Sequence, residues 1–131
     1  MRPVRKMVES LLQAQGWIED DVDDASLIIT EIVQNAVEHG SRNDGTELVQ
    51  VRVGMQPDAV EFCVVDPGTG EDPQEALARD VEVMPPMDEP RGRGLFLIYR
   101  LAGAMERSIA ETGGLCVQAR KKATVGEVEA S

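Results

Sequence analysis

The stretch from Leu27 to Gly40, LIITEIVQNAVEHG, constrains the fold more than any other part of the chain. Wound at 3.6 residues per turn, it gathers Ile28, Ile29, Ile32, Val33, Ala36 and Val37 on one broad apolar face. That face must be buried against a second layer. Glu31, Gln34, Asn35 and Glu38 fall on the other side. Glu31 and Asn35 are four apart, so their side chains lie one above the other, and His39 continues the row. Gly40 reads as a left-handed stop. Two readings of the polar row stand side by side. It can be a solvated helix face. It can also set a carboxylate base beside a neutral oxygen ligand, which suits Mg²⁺, a cation that takes oxygen donors and keeps waters and substrate phosphates.

Bulk properties narrow the choice. A length of 131 residues with 42% hydrophobic residues suits one domain with one core, built from aliphatic side chains because aromatics are only 3%. The net charge of −11 argues against non-specific binding to nucleic acid or to an anionic membrane. An anionic ligand would need Mg²⁺, a helix N-terminus or a local basic cluster, and Arg91 and Arg93 form a tight basic pair beside glycines. Cys63 and Cys116 fall in strand-like runs and read as reduced, mostly buried thiols rather than a disulfide framework. With one His, a zinc site is not expected. There is no apolar run of membrane length and no signal-peptide pattern, so a soluble cytoplasmic protein is expected.

Taken in order, Val4 to Gln15 predicts a helix stopped by Gly16, with Trp17 and Ile18 packing beyond it. The acidic run Glu19 to Asp24 sits ahead of the central helix, where acids complement the helix dipole. Ser41 to Gly45 is a turn. Leu48 to Val53 alternates as a strand, and Ala59 to Val65, more continuously apolar, is a more central strand; the turn at Gln56-Pro57-Asp58 makes them an antiparallel hairpin. The second strand runs into Asp66-Pro67-Gly68-Thr69-Gly70. This is either a plain tight turn or a strand-end carboxylate facing a pocket. In the pocket it would accept a hydrogen bond from an exocyclic amino group and prefer adenine to guanine. Pro73 to Arg79 predicts a short helix, and the proline-rich segment 84–90 reads as a mobile lid. Arg91-Gly92-Arg93-Gly94 enters a helix over Leu95 to Leu101, as an anion-binding loop or as a lid hinge. Arg107 to Ala110 and Leu115 to Lys121 are the last two strands, turning at Glu111 to Gly114. These elements divide the chain into a single domain, 1–122, and a flexible acidic tail, 123–131.

The order of the three pieces is more specific than any one of them. A helix with ExxxN, a strand ending in DxGxG, a short lid and a GxGL entering a helix resemble the Bergerat (GHKL) ATP-binding fold over roughly Val4 to Lys122. Within that fold the chain is most similar to the anti-sigma-factor serine/threonine kinases of bacterial partner-switching systems. The resemblance implies an α+β two-layer sandwich, with a mixed, mostly antiparallel sheet covered on one face by about three helices. It implies ATP and Mg²⁺ as cofactors, a small anti-sigma-factor antagonist as the phosphorylated partner, a sigma factor as a second partner, and dimerisation. Asn35 would coordinate Mg²⁺, and Glu31 would take the proton from a partner serine. Asp66 would bind the adenine amino group, with Gly68 and Gly70 shaping that end. Gly92, Gly94 and the N–H of Leu95 would cradle phosphate, steadied by Arg91 and Arg93, with His39 nearby. There are departures. The family usually has a strand before the first helix, whereas this chain starts almost at the helix, so either a sheet edge is exposed or the assigned start is late. Leu115 stands where a Thr usually helps to hold adenine, and the lid is unusually rich in proline. No phosphoacceptor helix pair precedes the domain, so autophosphorylation on His is not expected. The competing reading is a non-catalytic nucleotide-binding module that sequesters a regulator.

Overall fold

A computed structural model describes residues 2–42, 45–78, 81–82 and 93–124, with the backbone alone for Arg93. The elements are α1 (Arg2–Ala14), α2 (Glu19–Glu38), β1 (Gln50–Gln56), β2 (Ala59–Val65), α3 (Pro73–Leu77), α4 (Arg93–Leu101), β3 (Ala104–Ile109) and β4 (Leu115–Lys122). The strands form one sheet in the order β1-β2-β4-β3. The sheet expected to be mixed is antiparallel throughout among the described residues.

The helices cover one face. Val60, Phe62 and Val64 of β2 and Val117 and Ala119 of β4 turn toward it, as the period of two requires, and are buried. Against them α2 lays Ile28, Ile29, Ile32, Val33 and Ala36, α1 adds Val8 and Leu12, and α4 adds Leu95 and Ile98, all in one cluster. The near-continuous apolar run of β2 has the expected cause, since β2 is an interior strand paired on both edges. Gly16 ends α1 with φ +80°, and the backbone N–H of buried Trp17 donates to Leu12 O at 3.1 Å.

Three expectations are corrected. The acidic run is not ahead of α2 but inside it: Glu19, Asp20 and Asp21 make up the first turn, and Val22 and Ala25 carry the apolar face back to them. Asp21 is buried and accepts from the N–H and hydroxyl of Thr124, so it ties the end of β4 to the start of α2. Gly40 is not a left-handed stop, because α2 ends through His39 at φ −114° and the positive-φ glycines are Gly16, Gly45, Gly68 and Gly113. Finally, the first strand runs over Gln50–Gln56 rather than Leu48 to Val53, because β2 supplies partners from Val65 back to Ala59 and none for Leu48, which is 87% exposed. The short helix after the glycine turn is present as α3, with Asp72 capping it by accepting from Gln74 N at 2.9 Å. The segment read as a lid, 84–90, and the tail from residue 125 lie outside the described residues. No helix among the described residues is long and apolar enough to cross a membrane.

Candidate functional site

The C-terminal half of α2, the end of β2, the start of β4 and the start of α4 line one open cleft. Ile32, Ala36, Ala76 and Val117 make its apolar wall, and Asn35, His39, Asp66 and Glu71 bring polar atoms to it.

One end is built around Asp66, whose side chain is buried as the chain leaves β2. Its Oδ1 accepts from Gly68 N at 2.9 Å and from Leu115 N at 3.0 Å, and its own N–H donates to Leu115 O at 3.1 Å. Leu115, standing where the resemblance expects Thr, thus serves this end through its backbone while its side chain lines the cleft. Asp66 Oδ2 lies against Gly40, and any Cβ on Gly40 would collide with this carboxyl group. Gly114 is excluded from carrying a Cβ by the Asp66 carbonyl, and Gly70 by the His39 carbonyl and, at 2.8 Å, by Ser41 N. Burial raises the Asp66 carboxyl above its ordinary range, outweighing the two N–H donors that act the other way. The glycine turn is held from outside by Glu47. Its carboxylate accepts from the Thr69 hydroxyl at 2.6 Å and from Arg42 N at 3.0 Å, and these bonds hold its pKa below the usual value.

At the other end, Glu31 and Asn35 stand one helical turn apart on α2 and face the first turn of α4. A Cβ on Gly94 would sit 2.7 Å from Glu31 Oε2 and 2.8 Å from Asn35 Nδ2. Asn35 Nδ2 is buried and has no hydrogen-bond partner among the described residues, a costly state for an amide donor. The Glu31 carboxyl is raised above its ordinary value, first by burial and then by the negative charge of Glu38.

The structure therefore brings Glu31, Asn35, His39, Asp66, Gly68, Gly70, Gly94 and Leu95 to one cleft and its rim. His39 caps α2 and lines the cleft beside Asn35. Arg91 and Gly92 lie outside the described residues, as does the side chain of Arg93. Reasoning from sequence missed Gly40, Gly114 and Glu47. The Gly113-Gly114 pair held a usable signal: the turn needs one left-handed glycine, Gly113 at φ +90°, and the second meets a different demand. No group of three or more His, Cys, Asp or Glu side chains suited to a metal occurs among the described residues.

A family model described as a histidine kinase-like ATPase domain matches residues 1–121. A serine-protein kinase RsbW from Bacillus licheniformis is 32% identical over 65 residues, covering 50% of this chain and 41% of that protein. An anti-sigma F factor from Clostridium beijerinckii is 26% identical over 106 residues, covering 81% of this chain and 74% of that protein. The RsbW of Bacillus subtilis is 28% identical over 65 residues, covering 50% of this chain and 41% of that protein. The chain thus matches less than half the length of these kinases and about three quarters of the anti-sigma factor.

Proposed function

The chain belongs to the histidine kinase-like ATPase domain family, and on that premise we propose that it is an Mg-ATP-dependent protein serine/threonine kinase and anti-sigma factor that phosphorylates a small antagonist protein. The observation that carries the proposal is the convergence of Glu31, Asn35 and the first turn of α4 at Gly94.

The residues present fit a nucleotide and its cation. The unpartnered Asn35 amide, turned by half a rotation about its last bond, offers an oxygen to a hard cation, and at Gly94 the absence of a side chain leaves room beside it. With one protein oxygen offered, such a cation would take its remaining donors from phosphate and water. In the reaction Mg-ATP supplies the phosphoryl group and the cation neutralises its charge.

The chain's own residues do the rest. The N–H groups that open α4, among them that of Leu95, are oriented for phosphate by the helix dipole. Asp66 Oδ2, free of the bonds that occupy Oδ1, accepts the exocyclic amino group of adenine. Guanine presents a carbonyl oxygen there and is rejected by the carboxylate. Glu31, its proton affinity raised by burial, takes the proton of an incoming serine hydroxyl. His39 flanks the phosphate end, and Arg91 and Arg93 steady the terminal phosphate. The name of the Clostridium beijerinckii relative, an anti-sigma factor, supports a sigma factor as the second partner.

The test is phosphotransfer from labelled ATP to a candidate antagonist bearing an acceptor serine. Glu31→Ala should lower the rate by about a hundred- to ten-thousand-fold while keeping nucleotide affinity within about twofold. Transfer at the wild-type rate would remove Glu31 as the base. Control of the partner by a Glu31→Ala protein that transfers nothing would favour the non-catalytic sequestering module.

A further inference from the structure

We propose that Cys63 and Cys116 form a redox-active dithiol on the outer face of the sheet, which a hydroperoxide converts to an intramolecular disulfide. The proposal is independent of the nucleotide reading. Both thiols are free, and their Sγ atoms lie 3.5 Å apart although 53 residues separate them in the chain. Because Phe62, Val64, Val117 and Ala119 face the helices, Cys63 and Cys116 face the opposite side, away from the main core cluster.

The pair has neighbours suited to thiol chemistry. Arg52 of β1 is the direct cross-strand partner of Cys63, and Ser108 of β3 is that of Cys116. Four side chains thus make a row across the sheet, with a guanidinium at one end and a hydroxyl at the other. Cys63 is half-buried and Cys116 buried, so an oxidant in solvent meets Cys63 first. Burial, with the neighbouring Cys63 adding to it and Ser108 and Arg52 acting the other way, raises the Cys116 thiol, so Cys116 is not the first to meet the oxidant.

The chemistry balances as follows. The Cys63 thiolate attacks one oxygen of ROOH. The O–O bond breaks, RO⁻ leaves and takes up a proton, and Cys63 becomes a sulfenic acid. Cys116 attacks the Cys63 sulfur, the S–O bond breaks, and the hydroxyl leaves as water with the Cys116 proton. Two thiols and ROOH give one disulfide, ROH and water.

The consequence reaches the cleft. The two cysteines are diagonal neighbours offset by two residues, since Cys63 opposes Gln118 and Cys116 opposes Val65. The new bond falls on the β2–β4 pairing next to Leu115, whose backbone holds Asp66.

The experiment treats the reduced chain with hydrogen peroxide and follows intact mass, free thiols and amide hydrogen exchange. The expected result is a loss of two hydrogens and both thiols in the monomer, reversed by dithiothreitol and absent in Cys63→Ser and in Cys116→Ser. Cys116→Ser should leave a sulfenic acid at Cys63 that dimedone captures. Exchange of the Asp66 and Leu115 amides should change on oxidation. Retention of both thiols, or disulfides formed only between chains, would overturn the dithiol. Equal capture at Cys116 in Cys63→Ser would overturn the assigned order, and unchanged exchange at Asp66 and Leu115 the link to the cleft.

Discussion

At the Asp66 end of the cleft the polar groups hold one another, whereas at the Glu31–Asn35 end they do not. Asp66 is fixed by three backbone hydrogen bonds; Gly68, Gly70 and Gly114 around it are pressed against backbone atoms, and Gly40 against the Asp66 side chain itself. Around Gly94 the near neighbours are the tips of two side chains, one of them an amide without a partner. The first arrangement is part of the fold and presents a single fixed acceptor. The second costs the fold stability on its own and is suited to a ligand that brings charge and donors. The two ends should therefore fail differently when altered.

The largest effect is expected from Gly114→Ala. The new methyl meets the Asp66 carbonyl, which cannot yield without moving two strands, and such overpacking typically costs about 1–3 kcal/mol. Thermal unfolding should fall by several degrees, and nucleotide binding should fall with it. An unchanged melting temperature would show that the Asp66 end is softer than its hydrogen bonds indicate.

Asp66→Asn should separate fold from ligand at the same end. The amide oxygen keeps both N–H donors, but the new –NH₂ repels an exocyclic amino group, and adenine-nucleotide affinity should drop by about ten- to a hundredfold. Stability should move the other way. Burial raises the Asp66 carboxyl, so the folded chain holds this proton more tightly than the unfolded chain. The stability it contributes is present below the ordinary carboxylate range and is lost as pH rises through the raised value. Melting curves should show Asp66→Asn more stable than wild type at pH 7, with the gap closing toward about pH 4.

A smaller effect is expected at the other end. Gly94→Ala meets only the tips of Glu31 and Asn35, which can swing aside. Its melting temperature should stay within about 2 °C of wild type, while Mg-ATP affinity falls about tenfold by displacement of the Asn35 amide. A melting loss as large as that of Gly114→Ala would erase the contrast. The smallest effect is in pH dependence. With Glu31 raised by burial and by Glu38, phosphotransfer should decline on acidification with a midpoint above the ordinary glutamate value, and Glu38→Gln should lower that midpoint.

How much of this was legible follows from range along the chain. The apolar face of α2 and the strand ending at Asp66 were readable because each is a local pattern. So was the row Glu31–Asn35, because i and i+4 meet on any helix. The start of α2 was missed because Asp21 is held by Thr124, over a hundred residues away. The limits of β1 were missed because the alternation of Val49, Val51 and Val53 is the same whether the strand begins at Leu48 or Gln50, and only pairing with β2 decides. Gly40 looked like a helix stop because its reason, the approach of Asp66, exists only in the folded chain. Glu47's tie to the glycine turn carried no local signal, since Thr69 lies across the hairpin, 22 residues away.

The central claim is that the two ends together bind a magnesium nucleotide. Calorimetric titration with ATP and ADP, each with and without Mg²⁺, on wild type and Asn35→Ala tests it most directly. The account predicts wild-type binding that strengthens with Mg²⁺, and loss of that Mg²⁺ dependence in Asn35→Ala. Failure of the wild type to bind at millimolar nucleotide, or binding indifferent to both Mg²⁺ and Asn35, would contradict it.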